Sequence, residues 1–598
     1  MDEWKTTDIR RTMPRYVERE GDMVYNAPYR VTEADLNVVV LSADIAELQT
    51  LVDLQLNALV KTKTALLGSQ RGLHFDCRES WIALIYAALR SVSSVAGTDR
   101  DQGHLGAFEL SIWVPIVKRH EINGSVFEEH AWFLPLVYTA PTASVVTGRE
   151  IYGYPKVPAY LALPEGGDVP VAVQTRESFE GDAIKTERFF AASPPNMFGR
   201  PAPVTPREHP LLGSVVQRYL ANLPLIFRKQ AGLLRSKNEQ GEPLSAQYSS
   251  LIESRVPMAW LGSFDAVESG QLDVGGDPDG RGADVARALG IANCQPQFQV
   301  ALRNCTLDIQ QGREIWVAAE RAPYIAQLPA PGNSLINRPA GSEPNALDLV
   351  KGVAEVYFAR ARPHAIAALL ARHFPATLRE PRPIVGSLSD SVALLFLRAE
   401  GTASVRLYEF GVWIPVLECA ADGTTREAWY APYLFRSPGA SVVHARECYG
   451  HPCQEAFIDF ADEQQRRVVS LRRPIWRGAG GPEWIRQEGI VFEETDSGGA
   501  DIYDAEKMLT RLTSGEQRIV ALMQVRHSAN TERACLQQII GYDRHVSGTV
   551  TKHEPLVRKV TLAPHLQLEK LLDLDGPNGN VAGYRLQDLI VESTPPIA

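Results

Sequence analysis

Two places in the chain carry side chains whose chemistry depends on their surroundings. His451 and Cys453 stand two residues apart, so on a strand they would face one side, the arrangement that a thiolate and imidazole nucleophile pair requires. No third orienting group is evident, and a buried structural cysteine is the plainer reading. Lys156 follows Pro155 and, taken alone, reads as a solvent-facing lysine after a turn proline. The seven cysteines are scattered without a CxxC pair, so reduced thiols are expected, with neither a disulfide framework nor a metal site. The segment GGDPDGRGAD, Gly275 to Asp284, lacks the spacing of a phosphate loop and reads as a surface loop.

The elements that must position these residues occur twice. Residues 131 to 155 (AWFLPLVYTAPTASVVTGREIYGYP) align without a gap with residues 428 to 452 (AWYAPYLFRSPGASVVHARECYGHP) at an offset of 297, with thirteen of 25 positions identical. Upstream, FELSIWVPIV from Phe108 matches YEFGVWIPVL from Tyr408 at an offset of 300, pairing Glu109 with Glu409, Trp113 with Trp413 and Pro115 with Pro415. The runs from Leu36 and from Glu355 both read as strand leading into amphipathic helix. Downstream, PLIFRKQ from Pro224 is set against LMQVRHS from Leu522.

Short β-prone runs broken by Pro and Gly, with few helices, predict an α+β, mainly β fold: two tandem domains, each a largely antiparallel sheet or β-barrel with peripheral helices. The proline-rich stretch 328–346 marks a linker, so the expected division is 1–330, a linker 331–346, and 347–598.

The run Gly148, Arg149, Glu150, then Tyr154, Pro155 and Lys156 resembles the GRExxxYPK signature of the acetoacetate decarboxylase family. Glu109, six residues before Pro115, resembles the placement of that family's active-site glutamate. The resemblance covers about half of each copy and implies a tandem of two acetoacetate decarboxylase-like domains. It further implies that Lys156 is a Schiff-base lysine in an apolar cavity and that Glu109 relays protons or repels a substrate carboxylate. Tyr152, Tyr154 and Trp113 are expected to line the pocket, and the covalent imine on Lys156 calls for no cofactor.

An unperturbed lysine, pKa about 10.4, is neutral to only about 0.04% at pH 7, and lowering its pKa to ~6.5 requires about 5 kcal/mol. The family's second lysine is absent here, where Val157 and Pro158 follow Lys156, so desolvation is expected to activate the amine. Nor is the family's N-terminal arginine matched: the aligned position is near Glu33, and Arg30 has a different spacing. Arg149 and Glu150 recur in both copies, including the one that lacks the lysine, and read as structural.

Copy two has Cys453 where Lys156 stands, and a thiol cannot form the imine. One active site per chain follows, with copy two replacing a partner subunit in a covalent pseudo-dimer; a further homo-oligomer is left open. The leading expectation is a lyase that decarboxylates a β-keto acid. The same imine would also support aldol, dehydratase or cyclase chemistry, and a non-catalytic small-molecule binder or a scaffold protein is a different class. With 61 Lys and Arg against 71 Asp and Glu, a net charge of -10 recruits neither nucleic acid nor an anionic membrane. The longest apolar stretch, Trp81 to Leu89, is far below the ~20 residues of a membrane span. The charged N-terminus lacks a secretory segment, so a cytoplasmic location is expected.

Overall fold

The computed structural model describes chiefly residues 13–19, 24–62, 71–97, 104–158, 222–234, 245–259, 281–291, 296–318, 349–374, 384–401, 406–419, 423–437, 439–463, 466–476, 482–494, 505–513, 515–551, 557–562 and 580–593, with a few shorter pieces. The expected linker 331–346 lies outside the described residues. Among the described residues, no helix is long and apolar enough to cross a membrane.

The first half is built on β1 (Tyr29–Ser42), α1 (Ile45–Val52), β2 (Trp81–Ser94), β3 (Leu105–Ile122), β4 (Ser125–Ala140), α2 (Thr142–Tyr152), β5 (Lys156–Pro158), β6 (Leu225–Leu234), β7 (Ser245–Ser254) and β8 (Pro296–Ile309). Strand β8 pairs with β1, and the order continues β2, β3, β4, β6, β7. After β7 the chain bends, and its continuation Met258–Ala259 pairs with Leu307 and Thr306 of β8, closing a ring. Neighbours are antiparallel except β4 with β6, which run parallel through Trp132 and Leu225.

The second half repeats this plan with β9 (Leu349–Arg360), α3 (Pro363–His373), β10 (Ser391–Gly401), β11 (Arg406–Cys419), β12 (Thr425–Ser437), α4 (Gly439–Tyr449), β13 (Cys453–Glu455), β14 (Glu516–His527), β15 (Asn530–Thr551) and β16 (Asn580–Ser593). The order is β9, β10, β11, β12, β14, β15, β16, and β16 pairs back onto β9, so this barrel closes through direct strand pairing. The mainly β fold in two tandem units is therefore observed.

The downstream register differs from the sequence expectation. Trp132 faces Leu225, and its counterpart Trp429 faces Ile519, so PLIFRKQ corresponds to the run from Arg518 at an offset of 294. Both candidate runs are alternating apolar strands, and only the cross-strand partner separates them. The segment Gly275 to Asp284 also departs from expectation: residues 275–280 lie outside the described residues, whereas Arg281–Ala288 is helical.

Period-two alternation sorts each strand between two cores. Val38, Val40, Ala83, Ile85 and Ala87 share a cluster with Val145, Ile151, Tyr152 and Tyr154 of the motif region. Val39, Leu41, Ile82 and Leu84 instead pack with Leu48, Leu51 and Val52 of α1. Helix α1 is capped by Asp44, which accepts from the Ala46 amide at 2.7 Å. Helix α2 differs from such surface helices because it is buried on most sides, between its barrel and α4 of the second half.

A left-handed glycine ends each motif helix. Gly153 (φ 75°) and Gly450 (φ 66°) turn the chain back, and the carbonyls of Arg149 and Arg446 accept their amides at 3.0 and 3.1 Å. A Cβ on Gly153 would lie 2.6 Å from Lys229 Cα, so the position excludes a side chain by space as well as by φ. Gly124 (φ 80°), in the β3–β4 hairpin, has nothing within 4 Å. Gly124→Ala should cost about 1–2 kcal/mol in urea melts, and Gly153→Ala clearly more.

Candidate active site

The turn at Gly153 sends β5 alongside β4, where Lys156 pairs with Val137. Alternation then puts Val157 in the outer core and turns Lys156 inward over α2. The lysine stem lies against Gly148, where a Cβ would come within 2.7 Å of Lys156 Cδ and 2.8 Å of Cε. The glycine of the motif is therefore a space requirement of the lysine. In copy two the same position is Ala445, and the residue facing it is the shorter Cys453.

Lys156 Nζ donates to Glu109 Oε1 and, at 2.9 Å, to Ser144 Oγ in the first turn of α2. Glu109 also accepts from Ser144 Oγ at 3.3 Å and from Thr139 Oγ1, its cross-strand neighbour, at 3.4 Å. The side chains of Lys156 and Glu109 are 8% and 18% exposed, so this ion pair sits where water screens it weakly. The amine is 5.6 Å from the centre of the Tyr154 ring, within the range of a cation–π contact.

These groups open into a cavity of about 340 Å³ lined by apolar side chains such as Leu89, Val92, Leu105, Ala107 and Ile309, with Tyr25, Tyr29, Tyr152 and Tyr154. Tyr152 and Tyr154 stack at 4.8 Å, and Tyr154 meets Phe227 edge-on at 4.1 Å. Tyr152 Oη donates to the Gln310 carbonyl at 2.9 Å. Burial pushes both phenols up, so each tyrosine stays neutral as a hydrogen-bonding wall. Asp99 and His104 also reach the lining; Asp99 accepts from the Asn26 backbone and side-chain amides at 2.5 and 3.0 Å.

Of the residues singled out in the sequence, Lys156, Glu109, Tyr152 and Tyr154 come together on this cavity, and Trp113 does not. Trp113 is four residues beyond Glu109 on β3, roughly 13 Å along a strand. There it packs edge-on against Trp132 at 5.7 Å and donates to Ser111 Oγ at 2.7 Å. Arg30 pairs with Asp308 while 55% exposed, and Glu33 is exposed; neither lines the cavity. Ser144 was not singled out, although its recurrence as Ser441 in the second copy was visible. Thr139 was also missed, and its signal was the exchange for Arg436 at the aligned position.

That exchange explains how copy two does without the lysine. Glu409, the counterpart of Glu109, is 1% exposed and receives Arg436 Nε at 2.7 Å and Nη2 at 2.6 Å. The cation stands on β5 in one copy and on β12 in the other, and the carboxylate is paired in both. Cys453 is fully buried, which pushes its thiol up to about 12. His451 turns to Tyr542, with Nε2 and Oη 2.7 Å apart. Burial first, then the charges of Arg436, Arg544 and Arg19, hold its imidazole well below the usual range, so it is neutral. A neutral thiol and a histidine engaged elsewhere do not form a nucleophile pair.

No protein-family model matches the chain, and no curated protein matches it. Solved structures do. An acetoacetate decarboxylase from Legionella pneumophila is 14% identical, covers 55% of this chain and 99% of its own, and has a TM-score of 0.32. An acetoacetate decarboxylase-like enzyme from Sphingomonas wittichii is 15% identical over 49% of this chain and 94% of its own, with a TM-score of 0.27. The enduracididine biosynthesis enzyme MppR is 13% identical over 49% of this chain and 90% of its own, with a TM-score of 0.29. Each neighbour therefore corresponds in length to about half of the chain.

Two substitutions test the site. Gly148→Ala should leave the barrel folded, as Ala445 does in copy two, yet displace the lysine stem; reaction of Lys156 with a small amine reagent, followed by peptide mass spectrometry, should fall at least tenfold. Arg436→Thr should destabilise the protein by about 3–5 kcal/mol in urea melts, because it leaves Glu409 buried and unpaired. Adding Cys453→Lys and Ala445→Gly should recover most of that loss by rebuilding the arrangement of the first half.

Proposed function

We propose that the chain is a lysine-dependent Schiff-base enzyme acting on a keto acid, with decarboxylation of a β-keto acid as the reaction. The observation that carries this reading is a buried lysine amine held by a carboxylate and a hydroxyl on the wall of an apolar cavity. An amine and a carboxylate in direct contact exchange a proton without solvent, so Glu109 can take the ammonium proton as Nζ attacks the substrate carbonyl. Glu109 gives that proton to the departing hydroxyl, so the resulting carbinolamine loses water and leaves a protonated imine.

The imine nitrogen then draws the electrons of the bond to the carboxylate, carbon dioxide leaves, and an enamine remains. The enamine carbon then takes a proton from solvent, which Glu109 can relay. Water hydrolyses the imine and frees Lys156. The apolar lining supports the decarboxylation step because a carboxylate loses solvation there, while the uncharged product does not. The Tyr154 face offsets part of the cost of an iminium in the same pocket.

Copy two, whose counterpart residue is a neutral thiol, forms no imine and gives one reactive centre per chain. The partner of the protein in this reading is a small keto acid, and the covalent bond to Lys156 takes the place of a cofactor. The protein acts in the cytoplasm, where its thiols remain reduced.

Incubation with a panel of β-keto and α-keto acids plus borohydride should leave a reduced adduct on the Lys156 peptide, and the β-keto acids should release carbon dioxide. Lys156→Ala should abolish both, and Glu109→Gln should slow turnover by about 10²–10⁴-fold. A folded protein that gives no adduct across the panel rules the reading out. Adduct formation without carbon dioxide release would retain the imine and exclude decarboxylation.

A further inference from the structure

Lys156 is held from across the boundary between the two halves. Its backbone carbonyl accepts from Arg149 Nη1 at 3.1 Å. The other edge of the same guanidinium donates to Glu447 of α4, Nε to Oε1 at 2.6 Å and Nη2 to Oε2 at 2.8 Å. A fork gripped at both carboxylate oxygens has a fixed plane, so the Nη1 donor aimed at Lys156 has a fixed direction. The Arg149 side chain is 10% exposed and that of Glu447 31%, so the guanidinium is largely withdrawn from water while its partner stands at the rim.

We infer that Glu447 is a positioning residue for the Lys156 amine: the half that lost its own lysine completes the site of the half that kept one. The inference deepens the imine reading and rests on it for its functional meaning. Because the lysine stem is wedged against Gly148, a shift of the Lys156 backbone passes to Nζ and to its contacts with Glu109 and Ser144. Displacements of about 1 Å at a reacting group are enough to change rates strongly.

The repeat supplies an internal control. Glu150 accepts from Arg446 Nη2 at 2.9 Å, and Arg446 Nη1 reaches the Cys453 carbonyl at 3.4 Å. This second relay crosses the same boundary and ends on a residue with no amine; it differs in that Glu150 also accepts from Tyr16 Oη at 3.0 Å. A role confined to holding the halves together would let loss of either relay lower stability without singling out the reactivity of Lys156.

The test uses the full chain and dilute formaldehyde with cyanoborohydride, a probe that methylates any presented amine. Labelling of Lys156 is read by mass spectrometry relative to the exposed Lys61 and Lys351. Glu447→Gln should slow Lys156 labelling about tenfold, whereas Glu150→Gln should change it less than about twofold. The paired exchange Arg149→Glu with Glu447→Arg should restore the ion pair and the melting temperature but not the labelling, since a carboxylate at position 149 cannot donate to the Lys156 carbonyl.

Unchanged or faster labelling in Glu447→Gln, equal effects of the two glutamine variants, recovered labelling in the exchanged pair, or no labelling of Lys156 in the folded wild type would each overturn the inference. Wild-type protein treated with keto acids and borohydride reads the imine chemistry separately. Lys156 that accepts formaldehyde but no keto acid would end the functional reading and leave the positioning role intact.

Discussion

A carboxylate on the third strand of each barrel, fully buried in the second half and largely so in the first, is paired with a cation, and much of the local architecture follows from where that cation comes from. In the first half, Lys156 approaches Glu109 from a short strand beyond the motif helix. In the second, Arg436 approaches Glu409 from the neighbouring strand. An unpaired carboxylate in such a place costs several kcal/mol, so the copy with cysteine at the lysine position needs a cation from elsewhere. The exchanges at the aligned pairs 139/436, 148/445 and 156/453 are one coupled change: cation, space for its stem, and nucleophile.

The motif helices serve two functions with the same few residues. Gly148 gives room to the lysine, Gly153 turns the strand back toward it, and Arg149 and Glu150 face the other half. Arg149 pairs with Glu447 and Arg446 with Glu150, the reciprocal pattern expected of a two-fold dimer, here drawn within one chain. Further bonds cross the same boundary: Lys229 Nζ donates to the Arg526 carbonyl at 2.5 Å, and Arg526 binds Glu18 and Asn26 of the first half. Burial of such polar groups is tolerated because each is answered by a partner from the opposite half.

Much of the candidate site was legible because its chemistry is local. Gly148 to Lys156 is one helix end, one turn and the start of one strand, and nine consecutive residues carry that geometry. Trp113 shares the strand of Glu109 but stands away from the cavity lining, because strand periodicity gives a face and not how far along the strand a cavity extends. The PLIFRKQ run was aligned four residues away because alternating apolar strands look alike under such shifts, and the neighbour that distinguishes them, Trp132 or Trp429, is some 90 residues away. Ser144 was passed over since a small hydroxyl residue in a helix's first turn is ordinary until an amine is found beside it.

The sequence by itself determined the duplication, the mainly β character and the loss of the lysine from one copy, because these are matters of residue identity and short-range period. Only the tertiary structure decided that Thr139 and Arg436 mark a displaced charge, that Glu447 grips the arginine which holds Lys156, and that the amine faces a largely apolar cavity. Each of these depends on residues brought together by strand order and by the docking of two halves some 300 residues apart. No local propensity records such contacts, since the free energy that selects them is gained only when the barrels close and the charged groups lose water together.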